Sequence, residues 1–276
     1  MPLRNLQSQL LRLLASHRSP DSYVAGGIAI NRDGPRFSAD IDIFQDGDER
    51  LVEIAESDGA VMAAAGFDVA WLPARGTGKR SAMVRGLDEA TQLEWVADAD
   101  FRFFPAVKDE LFGYVLHPAD LATNKASAAA DRRVPRDIVD LVTIHETVLP
   151  LGAVISAAVG RFLGMSPEEM LDEIRRHGTF TADEFQVLAT DRPIDPRALH
   201  KRIKAMLDDA AGFLARLPSE AVGVVFLEGD RVVQPDLADL GRYRRHHGAR
   251  RGHWPSSSEI GSAMLERYRD LPPKSL

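Results

Sequence analysis

Asp40 and Asp42 stand two residues apart in the stretch Phe37-Ser38-Ala39-Asp40-Ile41-Asp42-Ile43-Phe44, and twelve residues separate the pair Gly26-Gly27 from Asp40. Ile41 and Ile43 alternate with the acids, the period-2 pattern of a strand, so both carboxylates point to one side, roughly 7 Å apart. Two hard oxygen donors at that separation can share one divalent cation, or a pair of cations about 3.5 to 4 Å apart. Mg²⁺ suits such a site because it keeps several waters and completes its shell with substrate phosphates. A Gly-Gly turn between a strand and a helix lets backbone N–H groups come close to a phosphate. Each motif alone has a plainer reading, an Asp-x-Asp on a solvated strand face and a Gly-Gly in an ordinary turn. Together, on a strand otherwise made of Ile and Phe where isolated acids are costly to bury, they point to handling of metal and phosphate.

These residues resemble the signature of polymerase-β-like nucleotidyltransferases, and among them the AbiEii-like toxins of abortive-infection and type IV toxin–antitoxin systems. The similarity rests on Gly26-Gly27, on residues 36–44, on the helical Lys motif at 117–125 (HPADLATNK) and on an Arg-Asp motif at 132–141 (RRVPRDIVDL), and it spans about residues 20–145. The resemblance implies an α/β (α+β) fold, a mixed sheet flanked by helices and followed by a helical C-terminal region. It also implies transfer of a nucleoside monophosphate from an NTP to an acceptor hydroxyl, with Mg²⁺ or Mn²⁺ as cofactor. In that fold a third carboxylate comes from a neighbouring strand. Glu94, in Thr91-Gln92-Leu93-Glu94-Trp95-Val96, is the candidate, although relatives usually carry Asp there, and Asp98 and Asp100 compete from a less regular stretch. Asp40, Asp42 and Glu94 are thus the expected metal ligands.

By the same resemblance Lys125, in an Ala-rich helical segment, holds the nucleotide's phosphates with Gly26 and Gly27. Asp137 orients Lys125, where compensation of a helix N-terminus is the plainer role. Ser38, Arg133 and Arg136 are further candidates for phosphate or RNA contact, against strand-entry and surface roles. The implied acceptor is the 3′ end of a tRNA, and the implied partner is a cognate antitoxin protein. Alternatives are a small-molecule or protein side-chain acceptor, or a nucleotide-binding module without turnover.

The elements that position these groups follow from periodicity and punctuation. Leu6, Leu10, Leu13 and Leu14 mark one face of a first helix, ended by Ser19-Pro20. Strands are expected at 23–25, 40–44, 67–72, 81–84 and 92–96, with a helix at 50–65, a succession that indicates an α/β unit. Helical patterns dominate from His117: 120–130, a helix opened by Pro135, then 151–163, 166–176 with a capping box at Ser166 and Glu169, 182–190 and 196–217. A hairpin is expected from 222–227 and 231–233 around Glu228-Gly229-Asp230. The division of domains is expected at 1–115 for catalysis and 116–276 for a helical part completing the nucleotide site.

Composition bounds the rest. With 45% hydrophobic and 27% charged residues in 276, the chain is globular in type. No apolar run reaches the ~18 residues of a membrane span, so a cytoplasmic protein without membrane partners is expected. The absence of cysteine excludes disulfides, Cys-type zinc sites and thiol nucleophiles. The histidines form no catalytic or metal pattern, and His117 and His145 are expected to be structural. The net charge of −7 is uneven: residues 231–276 hold nine basic and five acidic residues, and residues 1–230 hold 25 and 36. Arg242, Arg244, Arg245, Arg250 and Arg251 lie with Tyr243, His246, His247, His253 and Trp254 within thirteen residues. Interleaved cations and aromatic rings suit RNA binding by phosphate neutralisation and stacking, against an exposed basic tail.

Overall fold

The first helix, α1 (Asn5–Leu14), buries Leu6, Leu10, Leu11 and Leu14. Gln7 on the same helix is also buried and donates to the Ser38 carbonyl (2.9 Å) and to Thr91 Oγ1 (3.3 Å), tying α1 to the two stretches that carry acids. β1 (Ser22–Ala25) runs straight into the five-residue α2 (Gly26–Ile30), and β2 (Asp40–Asp46) returns antiparallel beside β1. There follow α3 (Leu51–Ala64), β3 (Asp68–Trp71), β4 (Lys79–Gly86), β5 (Glu89–Asp98), β6 (Phe101–Arg102), β7 (Val107–Asp109) and β8 (Gly113–Val115). This computed structural model describes residues 3–74, 76–86, 88–161 and 164–255; the expected helix end at 162–163 and the part of the second domain at 256–276 lie outside the described residues.

Seven strands form one mixed sheet in the order β3-β4-β5-β2-β1-β8-β7, in which β2 pairs parallel with β5 and β1 parallel with β8. The alternation in β2 and β5 decides which side faces where. Ile41, Ile43, Leu93 and Trp95 are all but fully buried in one core with α1 and α3, which turns Asp40, Asp42 and Glu94 to the opposite face.

The second half packs α4 (Pro118–Asp131), α5 (Pro135–Thr147), α6 (Leu151–Ala158), α7 (Pro167–His177), α8 (Ala182–Gln186) and α9 (Pro196–Leu214) around a separate core. Ala122, Ala126, Ala129 and Ala130 let α4 lie close to its neighbours there. The expected capping box opens α7: the Glu169 N–H donates to Ser166 Oγ, and the Ser166 N–H to Glu169 Oε2 (2.7 Å). Three helices, α6, α8 and α9, stop short of their expected ends, the first two for tertiary reasons. α6 stops before Gly160, where a Cβ would lie 2.6 Å from the Gly223 carbonyl oxygen. α8 stops at Gln186 because residues 189–191 hydrogen-bond to the loop before β2, through Phe37 N–H to Ala189 O and Asp191 N–H to Pro35 O, each 2.9 Å. Among the described residues no single helix is long and apolar enough to cross a membrane.

The expected hairpin is present as β9 (Val224–Glu228) and β10 (Arg231–Val233). The arginine-rich stretch beyond it is not a loose tail: β11 (Arg244–His247) pairs antiparallel with β9, and β12 (Ala249–Arg250) pairs with β6 of the first half. Strand pairing therefore crosses the expected boundary at 115. A small third core of Phe103, Phe104, Ala119, Ala157, Val225 and Leu227 seals the junction. Phe104 stacks on both His117 (centroids 4.0 Å apart) and His246 (4.6 Å), and His246 Nε2 meets the Phe103 carbonyl at 2.8 Å.

Candidate active site

The chain leaves β1 at Gly26 with φ of +67°, a conformation that L side chains rarely adopt. A Cβ at this position would lie 1.8 Å from Asp42 Oδ2, so only glycine lets the turn pass the acid. A Cβ on Gly27 would meet Arg36 Nη2 at 2.7 Å and Ser38 Oγ at 2.9 Å. The glycine pair thus makes room for three polar side chains as well as for a ligand.

Parallel pairing of β2 with β5 sets Asp42 beside Glu94 and Asp40 beside Gln92. Asp98 is four residue pairs further on, opposite Asp46, and Asp100 lies beyond the strand, so the register brings Glu94 to the Asp-x-Asp pair. The three acids are not equivalent. Asp40 accepts from Ser38 Oγ (2.9 Å) and from Arg136 Nη1 (3.5 Å). Glu94 accepts from Lys79 Nζ and Gln92 Nε2, each at 2.6 Å. Asp42 accepts no side-chain hydrogen bond from any described residue. Burial, with the charges of Asp40 and Glu94, pushes its carboxyl up to about 7 against the pull of Lys125 and Arg136.

Lys125 comes from α4 and is buried. Its Nζ bridges Asp137 Oδ1 (2.8 Å) and Asp140 Oδ2 (3.0 Å), two acids three residues apart on one face of α5. Arg132 Nε donates to Asp137 Oδ2 (2.8 Å), Arg36 takes Asp140 through Nε and Nη2 (2.9 Å each), and Asn31 Nδ2 adds a bond to Asp140 (2.8 Å). Burial works against the charge on both acids, yet the Lys125 ammonium and the facing guanidinium groups hold both below the usual carboxylate range. Asp137 therefore does more than compensate a helix end; it anchors Lys125.

These groups line a cleft of about 300 Å³ that includes Gly26, Gly27, Ser38, Asp40, Asp42, Glu94, Lys125 and Arg136. Lys79, Arg36, Asn124 and Arg132 line it too, without having been singled out from the sequence. Asp140 had a local signal, since it follows Asp137 by one helical turn. Lys79 had none, because only the pairing of β4 with β5 carries it to Glu94.

Other expected residues lie elsewhere. Arg133 is outside the cleft, paired with Glu184 (2.7 Å) and placed over the Phe180 ring at 4.4 Å. The C-terminal arginines are outside it too. Arg242 pairs with Glu228, Arg244 approaches Asp230 (3.9 Å), Arg245 donates to the Glu220 carbonyl (3.1 Å), Arg250 pairs with Asp100 and Arg251 with Asp21 (3.3 Å). His117 and His145 act structurally as expected, accepting from the Ala119 and Leu151 N–H groups.

The donor set fits a hard divalent cation, since Asp42 has acids for neighbours and no hydrogen-bond donor of its own. Among the described residues no three His, Asp or Glu side chains are gathered closely enough to hold an ion as they stand, Glu94 being bound to Lys79 and Gln92. Asp40 and Asp42 are the oxygen donors already in place.

A family model described as the nucleotidyl transferase AbiEii toxin of type IV toxin–antitoxin systems matches residues 9–220, so the match ends before β9. Among solved structures, the nucleotidyltransferase toxin MenT4 from Mycobacterium tuberculosis H37Rv superposes with a TM-score of 0.53 at 19% identity, over 78% of this chain and 84% of that one. JHP933 from Helicobacter pylori is similar at 15% identity with a TM-score of 0.43, over 75% of this chain and 89% of that one. The likeness to MenT4 is one of fold. No curated protein matches the chain in sequence.

Proposed function

This chain belongs to the AbiEii nucleotidyltransferase toxin family of type IV toxin–antitoxin systems, and from that premise we propose a Mg²⁺-dependent transfer of a nucleoside monophosphate from an NTP to the 3′ end of a tRNA. The observation that carries the reading is Asp42 between Asp40 and Glu94, with no side-chain hydrogen bond from any described residue, in one cleft with the anchored Lys125. A bound divalent ion, Mg²⁺ or Mn²⁺, would neutralise charge on the triphosphate and on the attacking oxygen. Asp40 and Asp42 would hold it, with Glu94 joining when it leaves Lys79.

The chain's own residues do the rest by position and charge. Lys125, fixed by Asp137 and Asp140, draws the β- and γ-phosphates toward α4. The turn at Gly26 and Gly27 leaves space for phosphate, and Ser38, Arg132 and Arg136 line the same cleft. The acceptor oxygen bonds to the α-phosphorus as the bond from that phosphorus to the bridging oxygen breaks. The electron pair leaves with pyrophosphate, and the hydroxyl proton passes to Glu94 or to water. The family's type IV systems imply an antitoxin partner, and a tRNA acceptor places the reaction in the cytoplasm.

The test is incubation with each labelled NTP, Mg²⁺ and total RNA. Label entering RNA, and lost in Asp42→Ala, is the expected result. Label that survives RNase would move the acceptor to a small molecule or protein side chain. NTP bound without any transfer would sink the catalytic reading.

A further inference from the structure

We propose that the cleft selects its nucleotide by the base: the nucleoside lies against Phe44, Val96 and Leu121, and Asn124 donates a hydrogen bond to a carbonyl oxygen of the base, so that uracil, cytosine or guanine is taken in preference to adenine. The inference deepens the transfer reading above and rests on its placing of the β- and γ-phosphates at Lys125. Phe44, Val96, Leu121 and Asn124 line the same cleft as the acids.

The sheet and α4 order the cleft in the same direction. On β2, Asp40, Asp42 and Phe44 follow one another on one face, and the residues opposite them on β5 are Gln92, Glu94 and Val96. Along α4 and just past its end, Leu121, Asn124, Lys125, Ala128 and Arg132 line the cleft with the spacing of one helical face. Contacts fix which ends meet. Arg136 Nη1 donates to Asp40 Oδ2 (3.5 Å), and it is the neighbour in sequence of Asp137, which Lys125 and Arg132 share. At the other end Leu121 and Phe44 belong to one apolar cluster with Tyr23 and Ala25, and Arg161 joins Asn124 to Asp98, two residues beyond Val96. Asp42 thus stands between an arginine-lined end and an apolar end. A nucleotide with its outer phosphates at Lys125, Arg132 and Arg136 and its α-phosphate at the acids carries its nucleoside to the apolar end, where the side chains suit the faces of a base.

Asn124 supplies the reading of the base edge. A guanidinium can only donate, so the Asn124 atom that meets Arg161 Nη1 is Oδ1, and the amide is held in one orientation. Arg161 is itself fixed: its side chain is 4% exposed, and its Nη2 donates to Asp98 Oδ2 (3.4 Å). The group left for a ligand is Nδ2, a donor with no acceptor among the described residues. Adenine alone among the four bases has no carbonyl oxygen, and it sets an amino donor beside its ring nitrogens. A site built around one polar group discriminates against a base that leaves that group poorly paired.

The experiment measures the Kd of the full chain, with Mg²⁺, for the α,β-methylene analogues of ATP, GTP, CTP and UTP, which bind without being cleaved. The parent should hold the ATP analogue about five- to tenfold more weakly than the tightest of the others. In Asn124→Ala that gap should close to within about twofold. In Asn124→Asp a carboxylate replaces the donor while still meeting Arg161, and the ATP analogue should gain on those of GTP and UTP, whatever the added charge does to all of them. A parent that holds all the analogues alike, or the ATP analogue tightest, overturns the inference, as do variants whose ratios match the parent's. Variants that weaken every analogue by one factor and erase a preference for ribonucleotides over deoxyribonucleotides would give Asn124 to the 2′-hydroxyl, and would overturn it too. In each of these cases labelled transfer to RNA would keep the transfer reading intact. No binding of any analogue, together with no transfer, would remove that reading and this inference with it.

Discussion

In the cleft, Asp42 faces Asp40 and Glu94 without a donor of its own, and its carboxyl is pushed up to about 7. In the C-terminal sheet, Arg242 meets Glu228, Arg250 meets Asp100 and Arg251 meets Asp21. Both regions are dense in charge, yet three acids stand together around Asp42 while the C-terminal sheet interleaves opposite charges. Like charges held together cost stability and persist where a ligand supplies the missing counter-charge. Opposite charges on exposed positions form contacts that fasten one segment to another and leave little potential for a third party.

The contrast breaks most readily at Asp42. Asp42→Ala should cut transfer on the order of 10³-fold, as loss of a charge-positioning group in an active site does, without lowering Tm; a folded variant with near-parental rates would end the reading of the cleft. Asp140 probes the opposite behaviour within the same site, since it is a buried acid with three partners. Asp140→Ala strands Arg36, leaves Lys125 with Asp137 alone and should destabilise the fold by about 3–5 kcal/mol in urea unfolding, with a change under 1 kcal/mol contradicting the anchoring role.

A smaller effect has a pH signature. The folded carboxyl of Asp42 lies above its unfolded value, so its contribution to folding is fully present below about pH 4 and is lost as pH rises through about 7. In chelator, Asp42→Asn should therefore gain stability over the parent between those pH values and hold a gain of about 4 kcal/mol or less above them. Burial is the largest cause of this shift, to which Asp40 and Glu94 add and which Lys125 and Arg136 oppose, and added Mg²⁺ should reverse the ranking of the two proteins. A gain that stays flat with pH would show that Asp42 is not crowded by its acidic neighbours. The smallest effects belong to the C-terminal sheet, where Arg242→Ala and Arg250→Ala should leave Tm and the KM for RNA unchanged within error. A rise in that KM for either variant would blur the distinction between the two regions.

What could be read from the sequence was whatever is local. The alternation around Ile41 and Ile43 gave β2 its inward and outward faces, and the apolar residues on both sides of Glu94 did the same for β5. Lys125 and Asp137 were legible through the motifs that contain them. Contacts set by strand register were not. Lys79 reaches Glu94 only because β4 folds back on β5, and Arg36 reaches Asp140 across 104 residues of sequence. The C-terminal arginines show the same limit: the acids that meet them, such as Asp21, Asp100 and Glu228, are spread along the chain and could not be paired with them from sequence.

The pairing of β12 with β6 also bears on the order in which the molecule is completed during synthesis. The seven strands of the large sheet are all available once residue 115 has left the ribosome. Phe103 and Phe104 must wait for Val225, Leu227 and His246, more than a hundred residues later, before their apolar surface is covered. Until then the nascent chain carries an unfinished junction, a natural point for chaperones or proteases to act.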